Sequence, residues 1–172
     1  TVNRVKALNH SKTRFIHEGI GYTYLMSNMQ AAVGLASLEE IERSIAKKRA
    51  MAAIYHTKLS KIPWLVLPIE KSWAKNVYWM YAVRVSPKLT TVSRTNLMKL
   101  LMTKHGIQTR TFFYSPRTAF KKMKLFCHQH YPVTGALEKT GLYLPSGLGN
   151  TKVEFIKTTN ILSSFMIKQA LY

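Results

Sequence analysis

The order of helical and extended patterns along this chain predicts an α/β fold, with helices covering a small sheet and a long helix leading into it. Three observations carry that expectation. A capped helical stretch runs from Asn28 to about Leu59, strand-like runs lie at Val77 to Val85 and Gln108 to Phe113, and further helix signals follow Ser93 and Thr151. At 172 residues the chain is long enough for one core of ordinary size, or for one domain with a projecting segment.

Residues 1–19 read as irregular or extended and lead into an aromatic turn at Gly21. Ser27 can accept from the N–H three residues on while Gln30 reaches back, the S-x-x-Q form of a capping box, so helix begins near Asn28. From there to Leu59 no proline intervenes, and Met29, Ala32, Val33, Ala36, Ile41, Ile45, Ala52, Tyr55 and Leu59 recur near helical spacing, the pattern of a core helix. Pro63 and Pro68 end it and frame an extended WLVL. Val77, Trp79, Tyr81, Val83 and Val85 alternate with Tyr78, Met80, Ala82 and Arg84, predicting a strand with one apolar face. Ser93 caps a helix that Gly106 terminates, and Gln108 to Phe113 is a second strand candidate. A basic segment from Ala119 to about His128 reads as helical, and Leu142 to Leu144 is extended before Pro145. Thr151 with Glu154 forms another capping box, opening a last helix to about Leu171.

Composition narrows the class. With 47% hydrophobic residues the chain is not disordered. No apolar run approaches the roughly 20 residues of a membrane span, and the opening TVNRVKALNHSKTR is too polar for a signal peptide, so a soluble cytoplasmic protein is expected. The single Cys127 excludes an internal disulfide. Lys and Arg number 26 against 7 Asp and Glu, a net +19 that attracts polyanions at low salt. These cations are spread along the chain, and the run TRTFFYSPRTAFKKMK carries no RNP, KH, zinc-finger or helix-turn-helix signature. A nucleic-acid-binding module is therefore an alternative rather than the leading expectation.

Several short blocks stand in a telling order: GYTYLMSNMQAAVGLASLEEIE from Gly21, YWMYAVRV from Tyr78, GIQTRTFFY from Gly106, YPV from Tyr131 and GLYLPSG from Gly141. Together they resemble the sugar aminotransferases of the DegT/DnrJ/EryC1/StrS type, pyridoxal-phosphate enzymes with the fold of aspartate aminotransferase (fold type I). Their turn typically reads GYNYRM, then SN or TN and QAA. Within the family, the TR-x-FFY run and LPSG look most like GDP-perosamine synthases, which aminate C4 of GDP-4-keto-6-deoxymannose in nucleotide-sugar and polysaccharide biosynthesis. The collinear blocks cover nearly all of the chain, which then corresponds to the C-terminal part. Residues 1–27 would be the tail of the large cofactor domain, residues 28–61 a long connecting helix, and residues 62–172 the small C-terminal α/β domain.

The resemblance also says what is missing. Transamination needs a lysine that forms a Schiff base with the cofactor. Family members carry it upstream of the GYNYRM turn, in serine- and glycine-rich surroundings that Lys6 and Lys12 lack. No catalytic lysine is therefore expected in this chain, and the isolated chain is expected to be inactive. The family's Asn and Arg in that turn, the first reaching the cofactor phosphate of the neighbouring subunit, correspond to Thr23 and Leu25. Thr23 keeps a hydroxyl, whereas Leu25 lacks a charged hydrogen bond of about 1.5–3 kcal/mol. For the sugar nucleotide, RTFFYSPR matches a family stretch usually reading RPFFYPMH. Arg110, Phe112, Phe113 and Tyr114 are kept, while Thr111 replaces Pro and Arg117 replaces His. The plainer account of Phe112 and Phe113 is two strand residues facing opposite sides, one in the core. Glutamate is the implied amino donor, and a homodimer or association with a complete aminotransferase the implied assembly. A noncatalytic interaction subunit or remnant of the family is the other alternative.

Other constellations are weak. Cys127, His128 and His130 place three possible metal ligands within four residues, without a fourth partner in view, so no metal is expected. His17 and Glu18 read as a solvated pair, and Glu39, Glu40 and Glu42 as the polar face of the long helix. No GxSxG, Walker loop or GxGxxG occurs.

Overall fold

The computed structural model describes residues 26–120, 124 and 131–169. Thr23, Leu25, Lys6, Lys12, His17, Glu18, Cys127, His128 and His130 lie outside them, as does most of the basic segment after Phe120. The chain divides into two compact units at Ile41/Glu42.

In the first unit, α1 (Asn28–Glu39) starts where the capping box places it. The Ser27 N–H donates to Gln30 Oε1 at 2.9 Å, and the Gln30 N–H donates to Ser27 Oγ at 3.3 Å. The helix expected to run unbroken to Leu59 stops at Glu40, where φ −96° and ψ 0° leave the α-helical region, and α2 (Ile41–Leu59) follows. No residue of α1 is buried. Met29, Val33, Leu35 and Leu38 are exposed, so this stretch does not act as the core helix its spacing suggests.

The second unit holds a four-stranded sheet in the order β1-β2-β4-β3, with every pair antiparallel. Its strands are β1 (Leu65–Val66), β2 (Tyr81–Val85), β3 (Arg110–Thr111) and β4 (Gly141–Leu144). Between them run α3 (Arg94–His105), α4 (Pro116–Ala119) and α5 (Pro132–Thr140), and α6 (Lys152–Gln169) closes the described chain. The class is α/β as expected.

The core forms where helical and strand periodicities meet. Tyr81, Val83 and Val85 are buried along β2 at a spacing of two. Met51, Ala52, Tyr55 and Leu59 are buried on α2, Leu97 and Leu101 on α3, and Phe155 and Leu162 on α6. The Tyr55 ring lies 4.8 Å from that of Tyr81 and 5.6 Å from that of Phe155, joining α2, β2 and α6. The Tyr55 hydroxyl donates to the Pro145 carbonyl at 2.8 Å. Burial raises the pKa of both Tyr55 and Tyr81 above the ordinary value of 10.0.

Two expectations need correction. The strand predicted from Val77 begins only at Tyr81. Tyr78 has φ 48°, its N–H donates to Asn76 Oδ1 at 2.8 Å, and Val77 and Trp79 are exposed. Arg49 holds this segment by donating to Glu70 Oε1 at 2.9 Å and to the Asn76 carbonyl at 2.7 Å. The strand expected over Gln108 to Phe113 shrinks to Arg110–Thr111. In addition, α5 has no counterpart among the elements anticipated above; Pro132 in its first turn is its local signal.

The remaining caps form as read. Asn96 N–H donates to Ser93 Oγ at 3.1 Å, and Gly106 ends α3 at φ 65° with its N–H on the Leu101 and Met102 carbonyls. Thr151 N–H donates to Glu154 Oε2 at 2.7 Å, with the Glu154 N–H returning to Thr151 Oγ1 at 3.3 Å.

Candidate functional site

The turn at Gly106 sends the chain from α3 into Gln108, Thr109 and β3, along one wall of an open cleft of about 570 Å³. Tyr143 to Gly147 at the end of β4, the entry to β2 at Trp79, the first turns of α6, and Lys48 of α2 complete the lining. Antiparallel pairing makes Arg110 and Tyr143 direct partners, so their side chains share a face.

Lys48 ties two sides of this cleft together. Its Nζ donates to the Trp79 carbonyl at 2.9 Å and to the Ser146 carbonyl. Partial burial lowers its pKa. The Ser146 hydroxyl accepts from the Tyr81 N–H at 2.8 Å and donates to the Leu144 carbonyl at 2.6 Å, so the LPSG loop is fixed from both directions. Glu154 also lines the cleft, and its carboxylate accepts from the Thr151 N–H and hydroxyl at 2.7 and 3.0 Å. Those bonds hold its pKa below the usual carboxylate value.

An aromatic ledge adjoins the cleft through Tyr143. The Phe112 ring lies 4.8 Å from Tyr143 and the Phe113 ring 6.2 Å from it, in an edge-on arrangement. Phe113 is 73% and Tyr114 55% exposed, so both present faces to solvent. Neither Phe112 nor Phe113 belongs to the core, because β3 ends at Thr111 and only the Phe112 N–H, on the Gly141 carbonyl at 3.3 Å, continues the pairing. The expectation of one core phenylalanine is corrected accordingly.

The structure therefore gathers Arg110 and Phe113 near Tyr143, with Tyr114 exposed next to Phe113 in the chain, but not Arg117. Arg117 sits on α4 and lines a separate cleft with Pro87, Tyr131 and Glu138. Glu138 accepts there from the Ser115 N–H and the Thr118 hydroxyl, both at 3.1 Å. Trp79, Lys48 and Lys157 were not singled out as site residues from sequence. The YWMY block and the Lys47–Lys48 pair were the available signals, and Lys157 had none. Among the described residues no group of three His, Cys, Asp or Glu can hold a metal ion. No described helix is long and apolar enough to cross a membrane.

Residues 2–159 match the DegT/DnrJ/EryC1/StrS aminotransferase family. The chain belongs to that family. It is 31% identical over 136 residues to the GDP-perosamine synthase of Vibrio cholerae, a match covering 79% of this chain and 36% of that relative. Among solved structures, the Helicobacter pylori aminotransferase involved in pseudoaminic acid biosynthesis aligns over 95% of this chain and 44% of its own, with TM-score 0.77 and 16% identity. The E. coli GDP-4-keto-6-deoxy-D-mannose-3-dehydratase with bound hydrated PLP aligns over 86% of this chain and 38% of its own, with TM-score 0.70 and 20% identity. These likenesses place the DegT-family chain in the fold of those enzymes, of which it spans less than half.

Pyridoxal phosphate needs a free lysine amine and an acidic partner for its ring nitrogen. Of the two lysines lining this cleft, Lys48 is committed to two carbonyls and Lys157 stands beside a carboxylate already engaged by Thr151. The sequence contains no aspartate at all. In this cleft, then, Lys48 is not a free amine for the cofactor and Glu154 is not a free acidic partner.

Proposed function

We propose that this chain is the C-terminal portion, with connecting helix and small domain, of a pyridoxal-phosphate-dependent sugar-nucleotide aminotransferase of the GDP-perosamine synthase kind. It would act on GDP-4-keto-6-deoxymannose with glutamate as amino donor, in the cytoplasm, as a homodimer or joined to a complete aminotransferase. The observation that carries this reading is the 31% identity to a GDP-perosamine synthase over 136 residues. In this reading Arg110 meets the sugar nucleotide and Phe113 and Tyr114 pack on it, while Thr23 and Leu25 occupy the cofactor-phosphate position. Arg117, which lines the other cleft, does not meet the sugar nucleotide in this reading.

The sugar-nucleotide role is tested by calorimetric titration of the 172-residue protein with a GDP-linked hexose. Phe113→Ala and Tyr114→Ala should each weaken binding by about tenfold, the worth of one aromatic face. Absence of binding, or binding that ignores both changes, would remove this reading.

The same proposal holds that the isolated chain is catalytically incomplete. Mixed with pyridoxal phosphate, it should show no stable absorbance band of a lysine-bound aldimine. A band that borohydride converts to a permanent lysine adduct would show that some lysine here can replace the one expected elsewhere.

A second reading, a noncatalytic interaction subunit, is favoured by the exposed Met29, Val33, Leu35 and Leu38 of α1. Co-purification with a full-length aminotransferase would support it, and a monomer that captures none would not.

A further inference from the structure

Between β1 and β2 the chain forms a loop, residues 67–80, whose base is fastened to α2. Arg49 donates to Glu70 Oε1 at 2.9 Å and to the Asn76 carbonyl at 2.7 Å, and the Asn76 N–H donates to the same Glu70 oxygen at 3.3 Å. The Tyr78 hydroxyl donates to Glu70 Oε2 at 3.1 Å. Glu70 and Asn76 are thus bridged, and the short stretch between them is closed at its ends. Inside it the Ala74 N–H donates to the Lys71 carbonyl at 3.0 Å, a four-residue turn with Trp73 at its third position.

Trp73 at this tip is 84% exposed. Burying so large a ring would be favourable, yet the tied turn leaves it in water, the mark of a contact surface. Its surroundings repeat on either side. Lys71 and Lys75 lie two residues away and Ile69 and Val77 four residues away, and all four are exposed. Glu70 is the only carboxylate residue in the sequence between Glu42 and Glu138, and Arg49 answers its charge. The tip therefore combines an indole and two aliphatic side chains with a net positive charge.

That chemistry suits an anionic lipid surface, where indoles settle at headgroup level and lysines meet the acidic headgroups. Charge complementarity extends beyond the tip, because a net +19 spread along the chain fits a broad negative sheet better than one compact acidic pocket. Since the loop is already tied, little ordering remains to oppose contact. We propose that residues 69–77 dock the protein on the surface of a membrane rich in anionic phospholipid. Trp73 sits at headgroup depth, with Lys71 and Lys75 on the acidic headgroups. Nothing spans the bilayer in this arrangement, and it does not depend on the sugar-nucleotide reading above.

The experiment sediments the 172-residue protein with vesicles of phosphatidylcholine alone and of phosphatidylcholine mixed with phosphatidylglycerol, and follows tryptophan emission in the same mixtures. The mixed vesicles should bind the protein and shift its emission to the blue, whereas phosphatidylcholine alone should do neither. Trp73→Ala should weaken binding by about tenfold and remove most of the shift. Lys71→Gln and Lys75→Gln should each weaken binding by about fivefold. Lys88→Gln is the control, since Lys88 follows Val85 at one end of β2 while the loop enters at Tyr81, the other end. It should change binding far less. All four side chains are exposed, and matched thermal melts check that folding is intact.

No binding to the mixed vesicles, equal binding to both kinds, or a blue shift that survives Trp73→Ala would each overturn the proposal. A loss for Lys88→Gln equal to that for Lys71→Gln would also overturn it, reducing the effect to diffuse attraction of a basic protein. A dimer in buffer that Trp73→Ala makes monomeric would overturn it in favour of a second copy of this chain on the loop.

Discussion

Tyr55→Ala should bring the second unit close to unfolding, at a cost of about 3–5 kcal/mol. Tyr55 is fully buried, and its ring touches Tyr81 of β2 and Phe155 of α6, so the cavity would open where three elements meet. Such a loss is a large share of the roughly 5–15 kcal/mol that stabilises a typical domain. Tyr55→Phe keeps the ring but leaves the Pro145 carbonyl without its donor at 2.8 Å, and should cost about 1–3 kcal/mol. Urea denaturation followed by circular dichroism orders the three proteins, and a Tyr55→Ala midpoint equal to that of the parent would refute this account of the core.

The same residue has a pH signature. Its folded-state pKa lies above the ordinary 10.0, so the folded state keeps its proton where the unfolded chain releases it. Stability from this source is complete below pH 10 and declines as pH rises through the interval between the unfolded and folded values. Tyr81 contributes in the same direction. Tyr55→Phe should therefore be less sensitive to alkali than the parent, though still sensitive through Tyr81. An unchanged alkaline profile would mean that the Tyr55 hydroxyl is not buried in solution.

The second large effect is expected at Gly141, where α5 ends and β4 begins. A Cβ there would lie 2.4 Å from Phe112 Cδ2 and 2.7 Å from the Leu137 carbonyl oxygen. The ring can turn away, but the carbonyl belongs to the α5 backbone and accepts the Gly141 N–H. Gly141→Ala should cost about 1–3 kcal/mol through overpacking. Because Phe112 leans on Tyr143, displacement of its ring should also weaken binding of a GDP-linked hexose. Gly135→Ala is the control, since nothing lies within 4 Å of its added carbon. If the two variants have the same urea midpoint and affinity, the tight junction is not a constraint in solution.

Local signals in the sequence were legible and distant ones were not. Ser27 with Gln30, Ser93, Gly106 and Thr151 with Glu154 mark helix ends because each bond they make lies within a turn of chain. Alternation misled at Val77 and Trp79, since Tyr78 adopts φ 48° beside Asn76 and Arg49 holds the loop from another element. Arg110, Phe113 and Tyr114 could be proposed from one short block, and the first two do lie near Tyr143. Arg117 lay in the same block but turned to another cleft with α4. Lys48, Trp79 and Lys157 come from three stretches of chain, and spacing within any one of them says nothing about their meeting.

The antiparallel sheet also has a bearing on how fast the protein folds. Its central ladder pairs β2 with β4, bringing Tyr81 beside Leu144, with α3, β3, α4 and α5 between them in the sequence. Such distant pairing carries a loop-closure cost before any contact repays it, and proteins dominated by it fold more slowly than local helical ones. On the ribosome, β2 must wait for the LYL of β4 to emerge, with Tyr81, Val83 and Val85 exposed in the meantime. That interval is when this chain is most open to misassembly.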